Sequence, residues 1–292
     1  MNTTIAGFDR QRVTVAEGVA LNVAVGGSGS PIVLLHGFPQ THLMWRHVAA
    51  DLAADHTVIC PDLRGYGASD KPAEDGPETY AKRTMARDVV ELAAAFGFER
   101  FALAGHDRGA LVAVRAGLDH PDRVTHLASL DVLPTLDMWD VMHGASAAVG
   151  FHLYLMAQPP GLPEQMISAS ADAFFGHFLD IWIRDPEAIP AEVREVYLAA
   201  SRGAVDSIVA DYRASAGVDI DHDRADRERG NRLEMPVTVL QQDWGSALGF
   251  DAPALWGAWA KDLDHRTVPF GHFMAEEAPA GVVGALRDLL AR

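Results

Sequence analysis

The chain has 292 residues, 49% of them hydrophobic, and 24 basic residues stand against 40 acidic ones, which gives a formal net charge of −16. This acidity and the absence of a basic cluster argue against nucleic acid or an anionic membrane surface as a partner, so an anionic substrate would need its own local positive charge. The single cysteine, Cys60, excludes an internal disulfide and a multi-cysteine zinc site, and the sequence contains no run of about 18 apolar residues, so we expect a cytoplasmic protein.

Strand and helix patterns alternate through the first part of the chain. They predict helices over 84–96 and 110–118, and strands over 13–15, 20–25, 32–35, 57–60, 101–105 and 124–130. Such alternation is typical of one α/β domain with a mostly parallel central sheet flanked by helices. The glycine-rich segment 26–30 is predicted to be a turn, because it precedes a strand and lacks the Gly-Lys-Ser/Thr sequence of a phosphate-binding loop.

The pattern changes between residues 136 and 230. Here aromatic and Met-rich helical patterns occur without a clear buried strand. Strand patterns return at 236–240 and before 267–269, and a closing helix is predicted over 280–290. We therefore divide the chain into a core of residues 1–135 and 231–292 and an inserted helical cap of residues 136–230.

The most informative segment is 105–109, Gly-His-Asp-Arg-Gly. It lies between a predicted strand and a predicted helix, where serine hydrolases carry the Gly-x-Ser-x-Gly turn, and it has Asp107 in place of the serine. A carboxylate nucleophile displaces a leaving group from saturated carbon and becomes an alkyl ester, which water must then cut. The alternative is that Asp107 only caps the helix.

Backbone N–H groups are needed to hold the second oxygen of such a carboxylate. The predicted strand over 32–35 runs into His-Gly-Phe-Pro, and Gly37 allows this loop to approach the nucleophile closely. We expect Phe38 to supply one N–H, and Arg108, at the start of the following helix, to supply another.

A base must activate the water that hydrolyses the ester, and His272 is the candidate. It follows the last predicted strand, stands beside a glycine and comes after the nucleophile in the chain. Two acids could orient it, Asp131 at the end of the strand that follows the helix after Asp107, or Asp243 after a later strand.

At this point the sequence resembles the fluoroacetate or haloacetate dehalogenases of the α/β-hydrolase superfamily. The likeness covers nearly the whole chain, and the segments that carry it are 36–45, 62–67, 105–110, 130–135, 157–159, 211–214 and 271–273. The resemblance implies an α/β-hydrolase fold with an inserted helical cap. It also implies that Asp107 expels halide from a small 2-halo acid, such as a haloacetate, and that His272, oriented by Asp131, activates water. No cofactor or metal is implied.

The resemblance further implies which residues hold the substrate. Arg108 would bind the substrate carboxylate, for which its forked guanidinium is suited, and it would supply the positive charge that the acidic chain otherwise lacks. His152 and Tyr212 in the cap would donate hydrogen bonds to the departing halide. The resemblance also suggests that the cap could support a homodimer.

Two residues depart from the family pattern. Leu111 stands where the family has a second arginine, and Leu153 stands where it has a tryptophan that contacts the halide. Loss of a charged contact to a carboxylate costs about 1.5–3 kcal/mol. Both changes make the pocket more apolar, which favours chloride or bromide over fluoride as the leaving group, or a larger and less polar substrate.

The main alternative is an epoxide hydrolase, which uses the same nucleophile and base but needs two cap tyrosines as proton donors. Tyr154, Tyr197 and Tyr212 could supply that pair, although Arg108 stands where that family usually has tryptophan. A second alternative is a ligand-binding protein that has lost catalysis. A serine esterase is disfavoured, because Asp107 occupies the position where such an enzyme has its serine.

Two further groups of residues are interpreted as structural. The glycines and acids of segment 61–70 predict a structured loop with an architectural role. The apolar residues Met138, Trp139 and Met142 recur at helical spacing, which is more typical of packing than of a substrate site.

Overall fold

The computed structural model describes residues 4–292, so the first three residues of the predicted core lie outside it. Within this range the chain forms a single sheet of eight strands. The strands are β1 (Asp9–Ala16), β2 (Val19–Gly27), β3 (Ser30–Leu35), β4 (His56–Pro61), β5 (Phe101–His106), β6 (Val124–Leu130), β7 (Leu233–Gln241) and β8 (Ala260–Thr267).

The helices lie between these strands and after them. They are α1 (Arg46–Leu52), α2 (Lys82–Ala95), α3 (Arg108–Asp119), α4 (Thr135–Val141), α5 (Phe151–Met156), α6 (Leu162–Ser168), α7 (Ala171–Ile181), α8 (Ala191–Arg202), α9 (Val205–Ser215), α10 (Val218–Arg229), α11 (Trp244–Leu248), α12 (Ala252–Gly257), α13 (Met274–Glu277) and α14 (Pro279–Leu290).

The sheet has the strand order β1-β2-β4-β3-β5-β6-β7-β8. The first two pairings, of β1 with β2 and of β2 with β4, are antiparallel, and the pairings from β4 through β3 to β8 are parallel. Helices α2 and α3 pack against each other, and α1 and α14 form a second pair. The expected α/β architecture with a mostly parallel sheet flanked by helices is confirmed.

The middle of the sheet is the most deeply buried part of the core. All six residues of β5 are buried, as expected for a central parallel strand that is covered by helices on both faces. The ends of β3, β5 and β6 therefore lie side by side, and the loops that follow them meet at one edge. This arrangement brings segments 36–39, 107–108 and 131–135 together.

Between β6 and β7, the described chain forms only helices and turns, from α4 through α10. Buried ion pairs fasten this helical segment to the core. The side chain of Lys82 on α2 contacts Asp211 and Asp219, and Arg115 on α3 contacts Asp223 and Asp226. The division into a core and a cap at residues 136 and 230 stays our interpretation of this arrangement.

The loop after β4 has the architectural role that its sequence predicts. One oxygen of the buried Asp62 carboxylate accepts hydrogen bonds from the backbone N–H of His42 at 2.9 Å, and the other accepts from the N–H of Ala68 at 2.8 Å. Gly67 is required here, because it has φ 53° and a Cβ would collide with this carboxylate. Among residues 4–292, none of the helices has the length and apolar character needed to cross a bilayer.

Candidate active site

Asp107 stands at a sharp turn between β5 and α3. Its φ of 48° and ψ of −117° are strained for a residue with a side chain, and such strain is typical of nucleophile positions. The two flanking glycines make this turn possible. A Cβ on Gly105 would collide with the backbone of Gly109, and one on Gly109 would collide with the carbonyl oxygens of Leu35 and His36.

The loop after β3 reaches the Asp107 carboxylate. The backbone N–H of Phe38 donates a hydrogen bond to Oδ1 of Asp107 at 2.8 Å, as its position in the sequence predicts. Gly37 makes the approach possible, since a Cβ there would lie 2.6 Å from the Cβ of Asp107. The Arg108 N–H as a second donor stays a prediction.

His272 and Asp131 form a buried pair. Nδ1 of His272 lies 2.7 Å from Oδ2 of Asp131, so Nδ1 carries the proton that is shared with the carboxylate. The other ring nitrogen, Nε2, is buried and has no hydrogen-bond partner among the described residues. Burial lowers the pKa of His272, but the hydrogen bond and charge of Asp131 outweigh burial and raise the pKa above its ordinary value.

Three further donors surround Asp131. The backbone N–H of Gln242 donates to Oδ1 at 2.8 Å, its side-chain amide to Oδ2 at 2.7 Å, and the indole N–H of Trp244 to Oδ1 at 3.1 Å. Burial raises the pKa of Asp131, but these hydrogen bonds and His272 outweigh it, so the pKa lies below its ordinary value. Asp243, the other candidate, is exposed and caps α11 through Ser246. Sequence reasoning missed Gln242 and Trp244.

His106 connects the turn at Asp107 to the loop that contains His272. Its Nε2–H donates to the backbone carbonyl of His272 at 2.8 Å, and the two rings lie 4.5 Å apart. Burial lowers the pKa of His106 to about 3, so this imidazole is neutral at physiological pH. The residue before the nucleophile thus helps to fix the backbone of the proposed base.

Arg108 is buried and lines the same cavity as Asp107, but its guanidinium is already paired. Nε donates to Oδ2 of Asp211 at 2.8 Å and one terminal nitrogen to the Asp211 carbonyl at 3.0 Å, while the other terminal nitrogen lies 3.4 Å from Oγ of Ser215. This corrects the expectation that the guanidinium of Arg108 is free to bind a substrate carboxylate through two nitrogens. One terminal nitrogen remains for such a contact.

Asp211 binds several donors at once. It accepts hydrogen bonds from Lys82 and from the hydroxyl of Tyr66, the latter at 2.6 Å, in addition to Arg108. Burial raises the pKa of Asp211, but the charges of Arg108 and Lys82 outweigh it and hold the pKa well below its usual range. Asp211 belongs to a segment singled out in the sequence, but its role as the partner of Arg108 was missed.

His152 and Tyr212 both line the cavity, as predicted. The hydroxyl of Tyr212 and Nδ1 of His152 are buried without a hydrogen-bond partner among the described residues. Burial lowers the pKa of His152 to about 3, so the ring is neutral but still carries one N–H. The Phe38 ring stacks on His152 and packs edge-on against Tyr212, which fixes both side chains.

The cavity also contains the two leucines that depart from the family pattern, and residues that were not expected there. Leu111 and Leu153 line it. Met138, Trp139 and Met142 pack against the core, as their spacing predicts, and they line the cavity as well. A helical apolar stripe looks the same in a sequence whether it faces a core or a cavity.

Trp182, in the turn after α7, was missed. It lines the cavity, its ring packs edge-on 4.8 Å from His272, and its carbonyl accepts a hydrogen bond from the His272 N–H at 2.9 Å. The next residues are tied to the same loop, because Oε2 of Glu277 accepts from the N–H of Arg184 at 2.8 Å and of Asp185 at 3.2 Å. The cap is therefore fastened directly to the loop of the proposed base.

Two of the three cap tyrosines lie outside the cavity lining. The hydroxyl of Tyr154 donates to the carbonyl of Met142, and the hydroxyl of Tyr197 donates to the buried carboxylate of Glu276. Tyr212 is thus the only cap tyrosine of the three that lines the cavity in the described structure. A tyrosine pair of the kind expected for an epoxide hydrolase is not assembled here.

Comparison with known proteins agrees with this geometry. A family model described as alpha/beta hydrolase fold matches residues 30–279. The chain is 38% identical over 290 residues to a fluoroacetate dehalogenase from Burkholderia sp., covering 97% of this chain and 94% of that protein. The resemblance to that family is therefore confirmed.

Two other matches also cover more than nine-tenths of both chains. The chain is 32% identical over 272 residues to a soluble epoxide hydrolase from Corynebacterium sp. strain C12, covering 91% of this chain and 92% of that protein. The solved structure of ALR0039 from Nostoc sp. PCC 7120 matches with a TM-score of 0.93 and 36% identity, covering 98% of this chain and 99% of that chain.

Proposed function

Because this chain belongs to the α/β-hydrolase family and carries a carboxylate at the nucleophile position, we propose that it hydrolyses the carbon–halogen bond of small 2-halo carboxylic acids. The observation that carries the proposal is the placement of Asp107, the His272–Asp131 pair and the donors His152 and Tyr212 around one cavity. The product is the 2-hydroxy acid, and the second product is halide.

The first step forms an ester on Asp107. Oδ1 of Asp107 is held by the Phe38 N–H, which leaves Oδ2 to attack the carbon that bears the halogen. A bond forms between Oδ2 and this carbon as the carbon–halogen bond breaks, and halide leaves with the bonding electrons. The Tyr212 hydroxyl and the neutral His152 ring are the donors available to stabilise the departing anion.

The second step hydrolyses this ester. Nε2 of His272 accepts a proton from water as the water oxygen attacks the carbonyl carbon of the Asp107 ester. The bond between that carbon and the ester oxygen then breaks, and the hydroxy acid leaves with the proton from His272. Asp131 stabilises the imidazolium that forms between these two events.

The substrate carboxylate has a smaller binding site than the family resemblance implies. Arg108 and Ser215 both line the cavity, one terminal nitrogen of Arg108 lies 3.4 Å from the Ser215 hydroxyl, and the Leu111 side chain offers no hydrogen bond. We infer one charge-assisted contact to the carboxylate instead of a pair of arginines. The loss of such a contact costs about 1.5–3 kcal/mol, or roughly one to two powers of ten in binding.

Epoxide hydrolysis is the second candidate, because an epoxide would use the same Asp107 ester and the same base. It is favoured by the identity to the epoxide hydrolase and by the unpartnered hydroxyl of Tyr212, which could protonate the epoxide oxygen. The hydroxyls of Tyr154 and Tyr197 are bound elsewhere, so a second tyrosine donor is lacking, and we rank this reaction below dehalogenation.

The proposed function is tested by halide release from fluoro-, chloro- and bromoacetate, with the Asp107→Asn variant as blank and a panel of epoxides alongside. We expect release of chloride and bromide that depends on Asp107. In water labelled with ¹⁸O, a single turnover should place the label on Asp107 and not in the product. Asp107-dependent diol formation without halide release would replace this function with epoxide hydrolysis, and no reaction of either kind would favour a ligand-binding protein.

A further inference from the structure

The catalytic cavity is lined by two kinds of residue. The polar ones include Asp107, Arg108, His152, Tyr212 and His272. We name six of its apolar lining residues the apolar arm; they are Leu111, Met138, Trp139, Met142, Leu248 and Phe250. No member of the apolar arm carries a formal charge, and the centre of a water-sized sphere can occupy about 80 Å³ of the cavity.

The apolar arm begins next to the nucleophile. Leu111 is the fourth residue after Asp107, and its backbone N–H donates to the Asp107 carbonyl at 3.2 Å, so both residues lie on the same side of the first turn of α3. The Leu111 side chain is buried against Val132 and Met138. A group attached to the carbon that Asp107 attacks is therefore within reach of an apolar wall.

The charges near Arg108 are balanced. Arg108 and Lys82 contact Asp211, and Lys82 also contacts Asp219, so two buried cations face two buried carboxylates. A substrate carboxylate therefore meets one guanidinium nitrogen, which also contacts Ser215, and no excess positive charge in this cluster. Tight binding of the acid must draw on apolar contacts, because the charges of Arg108 and Lys82 are already balanced by Asp211 and Asp219.

A haloacetate cannot provide those contacts. Its reacting carbon carries only hydrogens besides the halogen and the carboxylate, so the apolar arm would remain hydrated when it binds. Burial of apolar surface favours binding by about 0.8 kcal/mol for each methylene group. This cavity thus discriminates in favour of an acid whose reacting carbon bears an apolar group.

Resting on the proposed function, we infer that the preferred substrates are 2-halo acids with an alkyl or aryl group on C2, which binds in the apolar arm. The halogen must leave on the side opposite Asp107, and the carboxylate is held at Arg108. With two substituents fixed, only one enantiomer directs its apolar group toward Leu111. The enzyme is therefore enantioselective, and the product has inverted configuration at C2.

The test compares chloride release from chloroacetate, 2-chloropropanoate, 2-chlorobutanoate and 2-chloro-4-methylpentanoate, with each chiral acid offered as separate enantiomers. Chloroacetate reacts at a primary carbon and the other three acids at a secondary carbon, where displacement is intrinsically slower, so the series is compared among the three chiral acids. By the methylene increment above, kcat/KM of the faster enantiomer should rise about fourfold for each buried carbon, and at least about tenfold from 2-chloropropanoate to 2-chloro-4-methylpentanoate. One enantiomer of each chiral acid should react at least about tenfold faster than the other.

A matched pair of variants locates the effect. Leu248 is half-buried in the apolar arm, whereas Leu162 is 60% exposed on α6 and outside the cavity lining. Leu248→Gln should lower the ratio of kcat/KM for 2-chloro-4-methylpentanoate to that for chloroacetate at least about threefold, and Leu162→Gln should leave this ratio unchanged. Both changes are neutral in charge, so the comparison isolates apolarity.

The outcomes separate this inference from the proposed function. A rising series with one preferred enantiomer and a Leu248-dependent ratio supports the inference. A flat or falling series with clear chloride release overturns it and leaves the dehalogenase function standing. No chloride from any acid, together with no alkyl ester on Asp107 in a His272→Gln variant, overturns both.

Discussion

Nδ1 of His272 lies 2.7 Å from Oδ2 of Asp131, and the opposite ring nitrogen has no protein partner in the described structure. We therefore expect His272→Gln to form the ester on Asp107 but not to hydrolyse it. Mass spectrometry should detect the carboxyalkyl group of the substrate attached to Asp107 as an ester, with about one halide released per enzyme. Continued turnover by this variant would contradict the assignment of His272 as the base.

The two candidate acids are distinguished by a matched substitution. Asp131→Asn removes the negative charge beside His272, and by analogy with catalytic triads it should lower kcat by about 10³-fold or more. Asp243→Asn keeps an oxygen that can cap α11 and should leave kcat unchanged. Steady-state halide release from both variants provides the measurement, and the reverse order of effects would transfer the role to Asp243.

The rate of ester hydrolysis should depend on pH through His272. The hydrogen bond and charge of Asp131 overcome burial and raise the pKa of His272 above its ordinary value of 6.5. Only the neutral ring can accept a proton from water, so kcat should fall as the pH falls through this raised pKa. Rapid quenching should show ester accumulating at acidic pH, and a kcat without an acidic limb would argue against this base.

Tyr212 should matter more for turnover than for stability. Its hydroxyl is buried and has no hydrogen-bond partner within residues 4–292, so Tyr212→Phe should leave the melting temperature equal or higher. If the hydroxyl donates to the departing halide, chloride release should slow about tenfold or more, and bromide release should slow less. Tyr154→Phe is the control, because the hydroxyl of Tyr154 donates to the Met142 carbonyl and not into the cavity. An equal effect of the two variants on the ratio of chloride release to bromide release would contradict the role of Tyr212.

Asp211 should be important for folding. Asp211→Asn leaves the buried cations Arg108 and Lys82 without their shared carboxylate, which is expected to cost about 3–5 kcal/mol in the free energy of unfolding. The additional change Lys82→Met should recover part of this loss. Urea denaturation provides the measurement, and Asp172→Asn, which affects an exposed ion pair with Arg202, should cause no comparable change.

The same carboxylate predicts how stability varies with pH. Burial raises the pKa of Asp211, but Arg108 and Lys82 outweigh it and hold the folded-state pKa well below the unfolded value of about 4. The stabilisation is therefore complete above pH of about 4 and is lost as the pH falls below it. The difference in stability between the wild type and Asp211→Asn should shrink on acidification, and a constant difference would contradict this ionisation.

Short sequence patterns were sufficient to find Asp107 and His272, which the structure places in one cavity. The glycines that the turn at Asp107 requires lie within five residues of each other, and both Asp107 and His272 follow strands of a parallel sheet whose ends meet at one edge. Strand positions were also predicted well, since β5 and β6 read as short apolar runs. The predicted helix 110–118 starts two residues late, because Arg108 and Gly109 carry no apolar periodicity although they form the first turn of α3.

The partners of the site residues could not be predicted in the same way. Asp211 lies 103 positions after Arg108, and no local pattern connects an acid in one helix with an arginine in another. Trp182 enters the cavity from a turn after α7, so only the packing of the cap onto the core brings it to His272. These relationships depend on the three-dimensional arrangement of two separate segments.

The attachment of residues 182–185 to the histidine loop has a consequence for substrate exchange. Since the Trp182 carbonyl and the Glu277 carboxylate join the cap to the residues around His272, lifting the cap as a whole would displace the proposed base. Val149 is exposed and Leu248 and Phe250 are half-buried where the cavity meets solvent. Exchange of small molecules past the side chains at this rim would leave the geometry of the His272–Asp131 pair unchanged.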